Sequence, residues 1–204
     1  MNKIKFLLFD LTGVLVHKVL NSPTGYKING KLFLRQELEP IFISPSYLDY
    51  MLGQVTHSEF VADFIKTQNL DLSLKEFDQI LESSVIPVEG MPELIKKLSK
   101  KFHIVLVNNE GRVFSETKIK NSGATPFIHS VISSWKIGLI KPDPLFFQKV
   151  LAILETKPQE CLFIDDSSKN VLAAQNLGID AILFQNHVQL TIELTKRKIG
   201  LAKR

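Results

Sequence analysis

Five short stretches of the chain are nearly unbroken apolar runs: IKFLLFD (4–10), HIVLVN (103–108), SVISS (130–134), CLFID (161–165) and DAILF (180–184). Runs this short and this rich in Val, Ile, Leu and Phe predict strands covered on both faces, as in a parallel sheet. Helix-patterned stretches accompany the later ones: MPELIKKLSK, GRVFSETKIKNSG, PDPLFFQKVLAIL and SSKNVLAAQNLG. Alternation of strand and helix predicts an α/β fold, a Rossmann-like parallel sheet flanked by helices.

The interval between the first and second strands departs from that rhythm. It holds two amphipathic patterns, HSEFVADFIKTQ and LSLKEFDQILESS, and two Pro- and Gly-bearing segments, NSPTGYKINGK and FISPSYLDYMLG. No tight turn or single crossover helix uses so many residues. The expectation is a small helical cap over 16–87, inserted after the first strand, with the α/β core formed by 1–15 and 88–204. Linkers near Val16–Lys18 and Pro87–Gly90 would serve as hinges. The insert would stand at the carboxyl end of the first strand, where open α/β sheets bind ligands.

Composition narrows the function classes. The chain has 204 residues, of which 45% are hydrophobic, enough for a sizeable core. Its single cysteine, Cys161, excludes an internal disulfide and reads as a small core residue. The opening MNKIKFLLFDLTGVLV superficially resembles a signal peptide, but Asp10 interrupts the apolar run and no small-residue cleavage site follows. Without an apolar segment of about 18 residues, no membrane partner is expected and a cytoplasmic location is. The net charge is +4 and KRKIGLAKR is basic, but it lacks the interleaved aromatics of a nucleic-acid footprint, so no nucleic-acid partner is expected. The oligomeric state is left open.

Polar residues fall at the carboxyl ends of the predicted strands: Asp10, then Asn108 and Asn109, then Asp165 and Asp166. These ends share one sheet edge, and they converge if the first, second and fourth strands are neighbours. Lys141, in GLIKPDP just ahead of a helix, can reach the same edge. Three carboxylates and an ammonium suit a hard divalent cation, with Mg²⁺ favoured where a phosphate supplies further oxygens. Taken singly, each residue has a plainer reading. Asp10 would cap a turn, Asp165 or Asp166 a helix, Lys141 would be solvated and Asn108 would end its strand.

In this order the motifs resemble those of the haloacid dehalogenase (HAD) superfamily, in the branch with a helical cap after the first strand. DLTGVL (10–15) resembles its first motif, IVLVN ending at Asn108 the second, KPDPLFFQKVL from Lys141 the lysine motif, and FIDDSSKN (163–170) the acidic motif. The resemblance implies a hydrolase in which Asp10 attacks phosphorus and forms an aspartyl-phosphate that water cleaves. It implies Mg²⁺ held by Asp10, Asp165, Asp166 and the main-chain carbonyl of Thr12. Lys141 would pair with both Asp10 and the phosphate of a small phosphorylated substrate, and Asn109 would join it in substrate binding. Catalytic roles fall on Asp10, Thr12, Asn108 and Lys141.

Two residues depart from the pattern. Thr12 stands where family phosphatases carry a second aspartate that moves the proton, and Asn108 stands where they carry Ser or Thr. Among relatives, P-type ATPases also place threonine there and keep a long-lived aspartyl-phosphate, while haloacid dehalogenases use other non-acidic residues and no metal. Three readings follow: a slow Mg²⁺-dependent phosphatase, an impaired relative acting as a phosphate- or partner-binding module, and a dehalogenase. Paired Asp165 and Asp166 argue against the third, since metal-free attack at carbon gives them no use. No specificity motif marks the insert; His17, Lys18, Tyr26, Lys27 and Arg35 are candidates to face the site and attract an anion, although a basic residue in a loop is usually just solvated, and Trp135 and Lys136 lie after the third strand. Trp135 is expected in core or rim packing.

Overall fold

The computed structural model describes residues 4–199. Among these residues seven strands and ten α-helices follow in chain order as β1 (Phe6–Phe9), β2 (Tyr26–Ile28), β3 (Lys31–Phe33), α1 (Arg35–Leu38), α2 (Ser46–Met51), α3 (His57–Thr67), α4 (Leu74–Ser84), α5 (Met91–Leu98), β4 (His103–Asn108), α6 (Arg112–Asn121), β5 (Ser130–Ser133), α7 (Ser134–Ile137), α8 (Pro144–Ile153), β6 (Cys161–Asp165), α9 (Ser168–Asn176), β7 (Asp180–Leu183) and α10 (His187–Lys196). Part of the basic stretch KRKIGLAKR, residues 200–204, lies outside the described residues. No helix among them is long and apolar enough to cross a membrane.

The five apolar runs form one parallel sheet in the order β5-β4-β1-β6-β7. Strand alternation divides their side chains between two faces. Leu8, Val105, Val107 and Phe163 pack with Phe146, Phe147 and Val150 of α8 and with Ala174 of α9. Leu7, Phe9, Leu106 and Ile164 face the opposite way, toward α5, α6 and α10. Cys161 is buried in the first of these layers, as expected, and burial pushes its thiol up to about 11.

Register sets the site. Phe9 lies opposite both Leu106 and Ile164, so β1 runs between β4 and β6 with their carboxyl ends level. The Asp10 amide continues the ladder by donating to the Ile164 carbonyl at 2.9 Å. Asp10 and Asp165 therefore emerge side by side, each just where its buried strand ends.

The insert is helical for the most part, with one addition. β2 and β3 form an antiparallel hairpin through Asn29 and Gly30, whose φ values of 51° and 84° give the left-handed pair that a two-residue hairpin turn requires. α3 and α4 begin at reciprocal capping boxes, Thr56 with Glu59 and Ser73 with Glu76, which satisfy the first backbone donors of each helix. The two chain crossings to the core lie against each other. His17 donates to the Ile86 carbonyl at 2.8 Å, and Val88 donates to the Leu15 carbonyl at 2.9 Å.

Phe114 of α6, fully buried, projects from the core into the insert's aromatic cluster. Its ring lies 5.5 Å from Tyr50 and 6.1 Å from both Phe60 and Phe77, and Tyr50 stacks on Phe60 at 4.4 Å. The insert and this face of the sheet consequently share one continuous apolar cluster.

Candidate active site

Asp10 is only 9% exposed, and Lys141 and Asp165 are buried with it. A lone ion in such a place would be very costly, so the groups are arranged around one another. Lys141 Nζ donates to Asp10 Oδ1 and to Asp165 Oδ2, both at 2.7 Å. Asp165 is fixed further by the Ser167 amide at 2.8 Å and by Asn170 Nδ2 at 3.1 Å, so it sits at the mouth of α9 without capping it. Asp166 is exposed, and its carboxylate comes within 4.8 Å of those of Asp10 and Asp165.

The charges in this cluster do not balance. Burial pushes the Asp10 carboxyl from an ordinary 3.8 up to about 7; Lys141 opposes the rise and Asp165 adds to it. Burial, and then the neighbouring Asp165, raise Asp166 as well. Burial works against the Lys141 ammonium, yet Asp10 and Asp165 outweigh it and hold its pKa above the usual value. Three oxygen-donor carboxylates face the Lys141 ammonium and, at Asp166, the opposing charge of Lys18, which still leaves an excess of negative charge that a divalent cation would remove. Gly13 makes room for the arrangement. Its φ is +90°, and a side chain there would collide with the Asp166 carboxylate.

The Lys141 segment is held from the side by Asn109. Its Oδ1 accepts from the Lys141 amide and its Nδ2 donates to the Lys141 carbonyl, both at 2.8 Å. Both ends of the amide are thus bonded to the segment that carries the ammonium. Asn108 is buried at the end of β4, where its Nδ2 donates to Ser115 Oγ at 3.3 Å and its Oδ1 has no partner. Thr12 donates through Oγ1 to Glu110 Oε1 at 2.7 Å and accepts from Lys118 Nζ at 2.9 Å. Lys118 also pairs with Glu110, and both are buried.

The sequence reading did not single out Glu110 or Lys118. Lys118 carried a signal, since it follows Phe114 by one helical turn and so lies on the buried face of α6. Of the basic and aromatic candidates in the insert, His17, Lys18 and Tyr26 line a groove beside Gly13. Arg35 is exposed and pairs with Glu39 at 2.8 Å. Lys27 is exposed on β2. Trp135 lies half-buried on α7, with Arg112 and Lys136 at 5.7 and 5.2 Å from its ring, which is rim packing.

Residues 7–184 match the haloacid dehalogenase-like hydrolase family. Pyrophosphatase PpaX of Bacillus anthracis is 27% identical over 183 residues, 86% of this chain and 81% of the relative. A HAD family enzyme from Bacteroides thetaiotaomicron, solved in complex with magnesium and inorganic phosphate, superposes with a TM-score of 0.74 at 25% identity, covering 90% of this chain and 96% of that one. L-2-haloacid dehalogenase from Xanthobacter autotrophicus shares the fold, with a TM-score of 0.64 at 20% identity over 97% of this chain and 85% of that one. With a parallel sheet carrying carboxylates at the ends of two adjacent strands and a lysine between them, the chain belongs to the haloacid dehalogenase-like hydrolases.

Proposed function

We propose that the protein is a Mg²⁺-dependent phosphatase acting on a small phosphorylated metabolite, with Asp10 as the nucleophile. The observation that carries this reading is the buried triangle of Asp10, Lys141 and Asp165, with Asp166 beside it. The magnesium and phosphate of the Bacteroides enzyme and the pyrophosphatase activity named for the Bacillus relative support the same chemistry. Asp10, Asp165, Asp166 and the main-chain carbonyl of Thr12 would hold the Mg²⁺. When bound, it supplies positive charge to the phosphoryl oxygens.

Lys141 grips Asp10 Oδ1, which leaves the second carboxylate oxygen to approach phosphorus. The Asp10 oxygen–phosphorus bond forms as the bond to the leaving oxygen breaks. With no side chain placed to move the proton, the leaving oxygen takes one from solvent; water then attacks the aspartyl-phosphate, gives a proton to solvent, and inorganic phosphate leaves as the Asp10 carboxylate is restored. Lys141 keeps charge on the transferring group, and Asn109 keeps Lys141 in place. Residues 16–87 act as a cap that packs on the sheet through Phe114 and shields the site from water.

Threonine neither donates nor removes a proton near neutral pH, and Thr12 is already bonded to Glu110 and Lys118. Placed acid/base groups contribute about 10² to 10⁴-fold, so turnover is slow by that order. The same observation favours a second reading, a module that binds phosphate without turning it over. Phosphate release distinguishes the two. A panel of sugar phosphates, nucleotides, small acid phosphates and pyrophosphate, each with and without Mg²⁺, should give slow Mg²⁺-dependent release that Asp10→Asn abolishes. No release from any compound, or release that persists in Asp10→Asn, overturns the phosphatase reading.

A further inference from the structure

The helix that follows the Asn108–Gly111 loop takes its cap from another part of the chain. Gly111 stands at the N-cap of α6 and has no side chain to offer the first-turn amides. The oxygen comes from Tyr50 of α2, whose buried ring stacks on Phe60 in the insert. Phe114 N donates to Tyr50 Oη at 3.4 Å, and the Val113 amide faces the same oxygen. These are the third and second helical positions, whose donors a capping side chain serves. Gly111 has φ −71° and ψ 162°, a backbone that any residue adopts, so conformation does not require glycine there. Space does, because a side chain at 111 would collide with the Tyr50 ring.

The hydroxyl is oriented as well as placed. Burial holds its proton on, above the usual tyrosine range. His57 Nε2 lies 2.7 Å from Asp78 Oδ1 of α4; with that N–H donated, the neutral ring leaves Nδ1 to accept from the Tyr50 hydroxyl at 3.1 Å. The proton of Tyr50 therefore points to His57 and its lone pairs to α6. A second tie lies one residue on. Ser134 Oγ donates to the Met51 carbonyl at 2.6 Å and accepts from the Glu110 amide at 3.0 Å. Asn109 stands between the two ties, and its side chain holds both the amide and the carbonyl of Lys141.

We propose that Tyr50 is a positioning residue for Lys141: from the insert it caps α6, and so fixes the loop through which Asn109 holds the lysine against Asp10. The proposal rests on the phosphatase reading for its activity readout, and goes past it by giving the insert a part in placing the lysine.

Tyr50→Phe keeps the ring and removes only the hydroxyl. Amide exchange followed by NMR in the metal-free protein should become about 5- to 10-fold faster at Glu110, Phe114 and Lys141 relative to β6, the worth of one hydrogen bond. Phosphorylation of Asp10 by acetyl phosphate at saturating Mg²⁺ should slow by about 10-fold, since a small displacement of a positioned group costs at least that order. Mg²⁺ affinity by calorimetry should stay within about twofold, because the carboxylates of Asp10, Asp165 and Asp166 stand at the ends of β1 and β6. Ser134→Ala, which cuts the tie between Glu110 and Met51, should reproduce the pattern and carries the comparison if Tyr50→Phe does not fold.

A merely structural role for Tyr50 would speed exchange throughout the sheet and weaken Mg²⁺ binding along with phosphorylation, and that result overturns the proposal. Exchange at Lys141 that matches wild type, or phosphorylation as fast as in wild type, also overturns it. Failure of wild type itself to take up a phosphoryl group would instead strike the phosphatase reading. Exchange at Lys141 then decides the positioning role alone: faster exchange sustains it and unchanged exchange overturns it.

Discussion

Replacing Asp10 should make the metal-free protein more stable. The Asp10 carboxyl rises from 3.8 to about 7 on folding, chiefly through burial. The folded chain therefore retains a proton that the unfolded chain has lost. This contribution is fully present below pH 3.8 and is lost as pH rises through about 7, so above that value the ionised Asp10 opposes folding. An interval of roughly three pH units at about 1.4 kcal/mol each sets the upper bound near 4 kcal/mol. Asn keeps the shape and removes the charge, but it makes a weaker bond to Lys141, so the gain at pH 8 should be about 2 to 4 kcal/mol. For a chain of this length that is about 5 to 15 °C in Tm. Thermal melts of wild type and Asp10→Asn with EDTA, from pH 4.5 to 8.5, measure it directly. The difference should be small at the acid end and grow through neutrality, and Mg²⁺ should narrow it by stabilising wild type. A variant no more stable than wild type at pH 8, or a difference independent of pH, would refute the reasoning.

Three further outcomes follow from the same geometry. Lys141→Met leaves Asp10 and Asp165 buried without their shared cation; it should cost about 3 to 5 kcal/mol in metal-free melts at pH 8, with part recovered at pH 5 or on adding Mg²⁺. Gly13→Ala places a side chain against the Asp166 carboxylate at a φ of +90°, and calorimetry should find Mg²⁺ affinity reduced at least tenfold and stability reduced by about 1 to 3 kcal/mol. Phe114→Ala empties the seam between α6 and the insert and should cost about 3 to 5 kcal/mol by denaturant titration.

The sheet was legible because its strands are buried on both faces and so read as apolar runs, with β4 and β6 ending where the runs end, at Asn108 and Asp165. Asp10 and the acidic pair Asp165 and Asp166 stood out for the opposite reason, as charges at the ends of those runs. The hairpin of β2 and β3 was not. Each strand is three residues long and mostly exposed, so no alternation builds up, and only Asn29-Gly30 marks the turn. Glu110 and Lys118 looked like ordinary surface charges because their burial depends on one another and on Thr12, across 98 residues of sequence. Asn109 was named as a candidate from the sequence, but its bonds to the Lys141 backbone depend on where a loop 32 residues away folds back, which local pattern does not encode.

Whether Asp10 takes up a phosphoryl group is read directly by intact-protein and peptide mass spectrometry after the Mg²⁺-loaded protein is incubated with acetyl phosphate and quenched with acid. A phosphoryl adduct is expected on Asp10 in wild type, long-lived because Thr12 supplies no proton transfer, and none in Asp10→Asn. An adduct at another residue, or phosphate release with no adduct that continues in Asp10→Asn, would contradict it.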